Sequence, residues 1–381
     1  MIATKTISST RKCLSQLLPL IFPLILLSSL ACDSHFDSAN EISNQADLGS
    51  SQLAPADSSA IGASQGSLPS LKNPAEPEHG PSPQLSPSTL ISAAELKALI
   101  DANDTSVRVL EPARSNADYL KGHIPKAQFI HWVTDMTDPS HTEQYNNLSS
   151  AQFGKLMNSL GINNNSRIVI YDRLSSRLST RLFWTLKYFG HERVEVLDGG
   201  HRAWTSKFKQ SSEPVKYEAS DYQVGKPNLR ILAEMAFVED HLDDPNTKFI
   251  DGRPAEQFKG KVAGRVFHTN KPHSRKGHIP KAINILWKDN FDQDGRFKSP
   301  AQLRALYQNA GIQPDQCVVT YCNEGLHAAP PWFVLTQLLG YENVRLYDSS
   351  MAEWANSKNP MTVVKKEGEQ AKAAQPLGEE K

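Results

Sequence analysis

The sequence predicts an α/β protein made of two homologous domains, each a parallel sheet flanked by helices. Two observations lead to this prediction. The middle of the chain contains one unit twice, with its landmarks in the same order. Within each copy, short apolar runs rich in β-branched residues alternate with helical segments. This alternation is typical of a parallel sheet that is covered on both faces.

The repeat extends over more than a hundred residues. Its matching segments are residues 122–127 and 277–282 (both GHIPKA), residues 168–172 (IVIYD) and 318–322 (VVTYC), and Asp198 and Trp204 with Asp348 and Trp354, 150 positions later. Such an ordered series exceeds chance for this composition. We therefore predict domains at residues 89–210 and 225–360, joined by a polar stretch.

In the first domain, capping and turn residues mark where the elements end. Ser92 and Glu95 have the spacing of a capping box at a helix start, and Gly190 is a typical helix end. The predicted elements are a helix at 92–100, strands at 107–110 and 167–171, a helix at 181–189 and a strand at 193–197. The second domain repeats the series with strands at 249–250 and 317–321, a helix at 331–339 and a strand at 343–347.

Both ends of the chain differ from the folded middle. Residues 1–32 resemble an export signal, with a positive front and an apolar run too short for a comfortable membrane span. Small residues before Cys32 resemble a bacterial lipoprotein processing site. We expect a periplasmic protein tethered to the membrane by lipid on Cys32, with a plain cleaved signal peptide or an uncleaved anchor as the alternatives. Residues 33–88 and 361–381 are polar and aperiodic, and we predict a disordered linker and tail.

Composition excludes several classes of function. The chain has 41 basic and 41 acidic residues, so its charge does not favour nucleic acid. Four cysteines are too few for a disulfide scaffold, and they lack the paired short spacing of a zinc site. We expect neither a metal nor a cofactor.

Cys322 is the candidate nucleophile. It follows a buried strand, and a short glycine-containing loop leads from it to a helix. Backbone N–H groups of such a loop favour an anion, so we expect a lowered thiol pKa and a thiolate that attacks sulfane sulfur and holds it as a persulfide. The first copy carries Asp172 here, which fills such a nest but cannot carry sulfur. This contrast favours catalysis over a filler role for Cys322, whereas Cys317 is predicted to be a core residue.

From about residue 90 to 360 the chain resembles the two-domain rhodanese family of thiosulfate and 3-mercaptopyruvate sulfurtransferases. The resemblance is carried by both GHIP segments, Asp251-Gly252-Arg253 with Phe258, residues 321–325 (YCNEG), residues 344–348 (VRLYD) and Glu353-Trp354. It implies an inactive first domain, an active cysteine in the second and a site at their interface. It also implies that Arg253 binds the anionic donor; an ion pair with Asp251 or Glu256 is the alternative. Since the inactive copy keeps the GHIP motif, His123 and His278 are predicted to be structural.

The loop after the cysteine supplies the other predicted substrate-binding residues, which are Asn323, Glu324, Gly325, Leu326 and His327. Glu324 departs from the family pattern, because a carboxylate there should raise the thiol pKa and repel a dianionic donor. Pro330 and Pro331 remove two backbone donors, so the nest either uses only residues 323–328 or is weak. A basic cluster with Lys271, His273, Arg275 and Lys276 lies in an insertion that the first copy lacks. Arg275 and Lys276 are candidates for a positive gate at the pocket mouth, with a solvated loop as the alternative.

The predicted function is transfer of a sulfane sulfur from thiosulfate, or a related donor such as 3-mercaptopyruvate, to cyanide or a thiol. An oxidising compartment would also require a reductant or acceptor protein. A cysteine phosphatase is disfavoured, because it needs an arginine six residues after the cysteine and Ala328 stands there. The open alternative is a persulfide carrier, sensor or binding protein without turnover.

Overall fold

The structure, a computed structural model, describes residues 89–138, 147–267 and 269–364. The predicted export signal with Cys32 and the predicted linker lie outside the described residues, and so does the tail beyond residue 364. No helix in the described part combines the length and apolar character that are needed to cross a membrane.

Two parallel five-stranded sheets with the same strand order form the framework, which confirms the predicted α/β class. The first sheet contains β1 (Leu90–Ile91), β2 (Val107–Ala113), β3 (Ala127–His131), β4 (Arg167–Ile170) and β5 (Val194–Leu197), in the order β1-β5-β4-β2-β3. The second contains β6 (Leu232–Ala233), β7 (Thr247–Asp251), β8 (Ile283–Asn284), β9 (Cys317–Tyr321) and β10 (Val344–Tyr347), in the order β6-β10-β9-β7-β8. β4 and β9 therefore occupy the middle of their sheets.

Helices also follow matching series in the two domains. The first series is α1 (Ala93–Asp101), α2 (Ala117–Lys121), α3 (Ser150–Ser159), α4 (Arg177–Tyr188) and α5 (Gly200–Thr205). The second is α6 (Met235–Asp240), α7 (Ala255–Phe258), α8 (Pro300–Asn309), α9 (Ala329–Phe333) and α10 (Ser350–Trp354), with 3-10 turns at Leu229–Ile231 and Trp287–Asn290. The predicted capping box of Ser92 and Glu95 is present at the start of α1.

Each sheet lies between a cluster of its own and a cluster that both domains share. Along β4, Ile168 and Ile170 point into the shared cluster, whereas Val169 and the adjoining Tyr171 point into the private cluster of the first domain. This alternation follows from the two-residue period of a strand. Since the shared cluster also contains Val318 of β9, the two domains have a common hydrophobic core.

Both helices that follow the middle strands start earlier than predicted. α4 begins at Arg177 instead of 181, because the Asp172 carboxylate accepts the backbone N–H of Ser179 and caps the helix from the preceding loop. α9 begins at Ala329 and continues as a π-helical segment, Val334–Leu338. Its two prolines lie in the first turn, where a missing N–H costs no helical hydrogen bond.

The histidines of the two GHIP segments have the predicted structural role. The ring of His123 stacks on Tyr119 at 3.9 Å and its two nitrogens face the carbonyls of Tyr119 and Glu213, at 2.7 and 3.0 Å. His278 stacks on Phe258 at 3.8 Å and hydrogen-bonds the carbonyl of that residue. Each ring therefore fixes the turn that precedes the edge strand.

Equivalent residues of the two domains meet across their interface. Asp198 accepts a hydrogen bond from the backbone N–H of Phe297 at 3.0 Å, and Asp348 accepts one from the N–H of Asn147 at 3.1 Å. Asp348 is the counterpart of Asp198 in the repeat, and Phe297 is the counterpart of Asn147, each 150 positions away. The two contacts are therefore reciprocal. Phe183 and Phe333, another equivalent pair, pack edge to face at 4.8 Å. The domains are thus related by a pseudo-twofold axis, as in an isologous dimer.

Loss of one reciprocal contact should destabilise the protein measurably. We expect Asp198→Ala to lower the free energy of unfolding by about 1–3 kcal/mol, because the N–H of Phe297 loses a charged acceptor at a partly buried position. Asp294→Ala is the matched control, since it removes an exposed ion pair with Arg202 and should change stability by less than about 0.5 kcal/mol. Chemical denaturation measures both, and equal midpoints for the two variants would contradict the interface role of Asp198.

Candidate active site

Cys322 lies directly after β9, at the carboxyl end of the middle strand, and its side chain is only 1% exposed. The loop that follows folds back over the sulfur. The backbone N–H of His327 donates to Sγ at 3.2 Å, and the N–H groups of Glu324 and Ala328 also face the thiol. Of the two predicted arrangements, the nest therefore uses residues 323–328 and does not involve the prolines.

The first domain has the same loop with a carboxylate in place of the sulfur. Asp172 accepts hydrogen bonds from the backbone N–H groups of Leu174 (2.7 Å), Ser176 (3.0 Å) and Ser179 (2.8 Å). The expectation that this aspartate fills its own nest is confirmed. The loop geometry is thus suited to a negative charge, and only the second domain offers an atom that can carry sulfur.

Ser350 supports the cysteine loop from beneath, and sequence reasoning missed it. Its hydroxyl accepts the backbone N–H groups of Cys322 and Gly325, both at 3.1 Å, and donates to the carbonyl of Tyr347. Ser350 has a φ of 49°, in the left-handed region, where the first copy has Gly200. The signal in the sequence was a serine in the second copy at the position where the first copy has a glycine.

Gly325 is required by its surroundings in the loop. Its φ is 80°, and a Cβ atom there would lie 2.7 Å from Oδ1 of Asp348 and 2.9 Å from Nη1 of Arg181. Arg181 comes from the first domain and forms a buried ion pair with Asp348 at 2.5 Å. The first domain therefore contributes directly to the shape of the Cys322 loop.

The pKa of the Cys322 thiol is raised, so the prediction of a lowered value was wrong. Burial is the largest cause, because a thiolate loses its hydration there; the N–H groups of Glu324 and His327 lower the pKa without offsetting this penalty. The negative charge of Glu324 raises the thiol pKa further, which confirms the expected effect of this carboxylate. Its side chain is buried, and Oε1 accepts the backbone N–H of Phe267 at 2.7 Å.

Asn323 is held between two side chains. Its amide nitrogen donates to Gln257 and its oxygen accepts Nε2–H of His273, both at 3.1 Å. His273 is 1% exposed, and burial lowers its pKa to about 4, so it is a neutral donor and not a member of a positive gate. Gly264 packs directly over this contact, where a Cβ atom would lie 2.2 Å from the Asn323 oxygen.

Arg275 faces the end of α10. Its guanidinium donates to the carbonyls of Ala355, Asn359 and Trp354 at 3.1, 2.5 and 2.8 Å, which satisfies carbonyl groups that a helix end leaves unpaired. Lys276 beside it is half-buried. These contacts give Arg275 a structural role, and a gate formed with Lys276 stays a prediction.

Arg253 is buried and paired. Nε and Nη2 face the Asp251 carboxylate, with Nη2 2.7 Å from Oδ2, and Nη2 also donates to the carbonyl of Gly277 at 2.8 Å. Burial alone would lower the pKa of Arg253, but the Asp251 charge raises it overall, and the nearby Cys322 acts in the same direction. The ion pair named as the alternative is therefore present; binding of the donor by Arg253 stays a prediction.

The remaining loop residues differ in their surroundings. The Leu326 side chain is buried in the shared hydrophobic cluster. The His327 ring stacks on Trp287 at 5.1 Å, and its Nε2 lies 3.0 Å from Nη1 of Arg177. Sequence reasoning missed Trp287, Arg177 and Gln257, since each comes from an element far from Cys322 in the chain. In the described part of the chain, no three His, Cys, Asp or Glu side chains are grouped as metal ligands.

A family model for the rhodanese-like domain matches the chain twice, at residues 92–207 and 234–357. The chain therefore belongs to the rhodanese-like domain family and carries the domain in tandem. Relatives that match most of their own length to this chain agree with this assignment. The "Sulfur carrier protein TtuD" of Thermus thermophilus is 35% identical over 257 residues, which are 66% of this chain and 89% of that protein.

Two further relatives carry the name "Putative thiosulfate sulfurtransferase". The protein from Mycobacterium tuberculosis is 33% identical over 249 residues, which cover 65% of this chain and 88% of the relative. The protein from Haloferax volcanii is 32% identical over 271 residues, covering 70% of this chain and 93% of the relative. The similarity thus extends over most of the length of these proteins.

Solved structures agree on the fold. SseA from Escherichia coli, described as a 3-mercaptopyruvate sulfotransferase, superposes with a TM-score of 0.60 at 24% identity, covering 69% of this chain and 99% of SseA. EanB in complex with ergothioneine superposes with a TM-score of 0.64 at 22% identity, covering 72% of this chain and 70% of EanB. At this identity the similarity supports the tandem fold alone.

Removal of the Glu324 charge should make the thiol more reactive near neutral pH. Glu324→Gln removes a negative charge that disfavours the thiolate, so the pKa of Cys322 should fall. We expect alkylation of Cys322 at pH 7 to accelerate about three- to tenfold, with the rates of variant and wild type converging above both pKa values. The measurement is the iodoacetamide labelling rate against pH, with the exposed Glu342→Gln as control. Superimposable profiles for Glu324→Gln and wild type would contradict this electrostatic role.

Proposed function

We propose that the protein is a sulfurtransferase that carries sulfane sulfur as a persulfide on Cys322, with thiosulfate or a related compound such as 3-mercaptopyruvate as the donor. The observation that carries the proposal is the matched pair of loops. In one domain converging N–H groups hold a carboxylate, and in the other they hold a cysteine sulfur. Membership of the rhodanese-like family and the names of the relatives support the same activity.

Loading of the cysteine is a displacement at sulfur. The Cys322 thiolate attacks the outer sulfur of thiosulfate, a new S–S bond forms, and the bond to the sulfonate sulfur breaks. Sulfite leaves with the bonding electron pair, so charge is conserved: the enzyme keeps one negative charge as the persulfide anion. The N–H groups of Glu324, His327 and Ala328 are the donors available to that anion.

Unloading restores the thiolate. Cyanide or a thiolate acceptor attacks the outer sulfur of the persulfide, and the Cys322 sulfur leaves with the electron pair. With cyanide the product is thiocyanate, and no oxidant or reductant is consumed. Loading consumes the thiolate form of Cys322 and unloading releases it. The raised thiol pKa therefore predicts that loading accelerates as pH rises toward that pKa.

Thiocyanate formation from cyanide tests turnover. With thiosulfate and with 3-mercaptopyruvate as donors, we expect the wild-type chain to turn over and Cys322→Ser to lose at least about 1,000-fold in rate, since the serine hydroxyl cannot carry a sulfane sulfur. Cys317→Ser is the matched control and should retain most of the activity, because that buried cysteine opens β9 at its other end. Equal activity of Cys322→Ser and wild type would refute the proposal.

A persulfide carrier without multiple turnover is the second candidate. It is supported by the name of the relative in Thermus thermophilus. It is also supported by the negative charge of Glu324, which repels a dianionic donor that approaches Cys322. A carrier would accept one sulfur per Cys322 and transfer it only to a protein or thiol partner. Stoichiometric sulfur uptake without thiocyanate turnover would therefore favour this candidate over the enzyme.

We further propose export to the periplasm with Cys32 as a lipidated anchor. The support is the sequence of residues 1–32, an apolar run that ends in small residues before this cysteine. In a bacterial host, we expect the full chain to fractionate with membranes and Cys32→Ser to shift to the soluble fraction. Cys13→Ser is the matched control and should stay with the membranes. Retention of the full chain in the cytosol would contradict export.

A further inference from the structure

Arg177 brings a positive charge from the first domain to the cysteine loop of the second. It is the first residue of α4, and its Nη1 lies 3.0 Å from Nε2 of His327. Arg177 and His327 are equivalent positions of the repeat, 150 residues apart, so the pseudo-twofold axis brings them together. Asp172 and Cys322, which occupy the two nests, are separated by the same interval. Arg177 therefore follows Asp172 by five positions, just as His327 follows Cys322.

The chemistry of this hydrogen bond determines the tautomer of the imidazole. A guanidinium has only N–H donors, so Nε2 of His327 must be the acceptor and cannot carry a proton. A neutral ring then has its hydrogen on Nδ1. Nδ1 makes no hydrogen bond to the described residues. This nitrogen is also not fully buried. His327 therefore presents one N–H donor that the protein itself does not use.

The surroundings favour the neutral form of the ring. Burial lowers the pKa of His327 well below its usual value, and the charges of Arg177 and Lys288 lower it further. Arg177 belongs to α4, and Lys288 belongs to the 3-10 turn Trp287–Asn290. Because a lowered pKa extends the neutral range toward acid, the ring stays neutral throughout the physiological pH range.

The ring is also held in place next to the reacting sulfur. Trp287 stacks on it with an angle of 16° between the planes, and the guanidinium of Arg177 lies 5.5 Å from the centre of the same indole. Since the backbone N–H of His327 donates to Sγ at 3.2 Å, the ring and the sulfur belong to one rigid turn. The His327 ring thus has a fixed orientation on the same turn whose backbone holds the sulfur.

We infer that Arg177 is a positioning residue that holds His327 as the neutral Nδ1–H tautomer, and that this N–H binds an oxygen of the anionic group of the sulfur donor. The inference rests on the proposed function, because it concerns the donor that loads Cys322. It assigns a role to the first domain, whose own loop carries no sulfur. The class of ligand is an oxyanion carried by the sulfur donor, such as the sulfonate group of thiosulfate or the carboxylate of 3-mercaptopyruvate.

Nitrogen NMR of the histidine rings in the purified full chain tests the tautomer directly, with His327→Asn used to assign the signal. We expect wild-type His327 to show a protonated Nδ1 and a bare Nε2 from pH 6 to 8. In Arg177→Met the charge and the donor are lost, so His327 should gain a second proton at a higher pH than in wild type. Arg177→Lys should restore the tautomer, since its ammonium also donates. A wild-type ring with the proton on Nε2, or an unchanged titration in Arg177→Met, would overturn the assignment.

Ligand binding tests the second half of the inference without turnover. In a Cys322→Ser background, we expect Arg177→Met and His327→Gln each to weaken the affinity for sulfite about three- to tenfold, which corresponds to one hydrogen bond. His327→Asn should stay within about twofold of its parent, because the asparagine N–H lies where Nδ1–H was, whereas the glutamine group lies near Nε2. Equal affinities for the Asn and Gln variants would overturn the role of the Nδ1–H donor.

These measurements separate this inference from the proposed function. If Cys322 accepts no sulfur from any donor, the proposed function fails, while the NMR titration still decides whether Arg177 sets the tautomer. If Cys322 turns over and Arg177→Met binds sulfite as tightly as its parent, the sulfurtransferase stands and the role of Arg177 is wrong.

Discussion

The structure depends above all on one constraint, the convergence of backbone N–H groups at the carboxyl end of the middle strand of each sheet. Donors buried in this way need an acceptor, because an unpaired N–H away from water is costly. The first domain supplies a carboxylate that is part of the protein, and the second supplies only a cysteine sulfur at the same place. The carboxylate occupies its nest permanently. The second nest holds a thiol sulfur, so its N–H groups can still bind a negative charge that develops there. The same loop therefore stabilises one domain and gives the other its chemistry.

The first domain is an integral part of the surroundings of Cys322. The two domains share a hydrophobic core, and Asp198 and Asp348 each accept a backbone hydrogen bond from the opposite domain. Arg181 pairs with Asp348 beside Gly325, and Arg177 reaches the imidazole of His327. A single domain would lose these side chains and its packing against the shared cluster. This explains in physical terms why a copy without a nucleophile has a function.

Much of this architecture follows from the sequence, and what does not follow has identifiable reasons. The repeat and the alternation of strands and helices predict the two parallel sheets, and the contrast of Asp172 with Cys322 predicts the anion nest. The direction of the thiol pKa shift was wrong, because it depends on how completely the folded chain removes Cys322 from water. The start of α4 was also wrong, since its cap is an aspartate in the preceding loop and not the adjacent residue. Arg177, Trp287 and Ser350 reach the site through the interface and the fold, and local patterns contain no record of such distant partners.

The central claim is that Cys322 holds sulfur within its nest of N–H groups. Peptide mapping by mass spectrometry after exposure to thiosulfate tests it most directly, with removal of the adduct by cyanide as the second step. We expect one added sulfur atom on Cys322 and none on Cys317, and complete loss of that sulfur after cyanide. An adduct on Cys317, or no adduct on either cysteine with any sulfane donor, would contradict persulfide formation at Cys322.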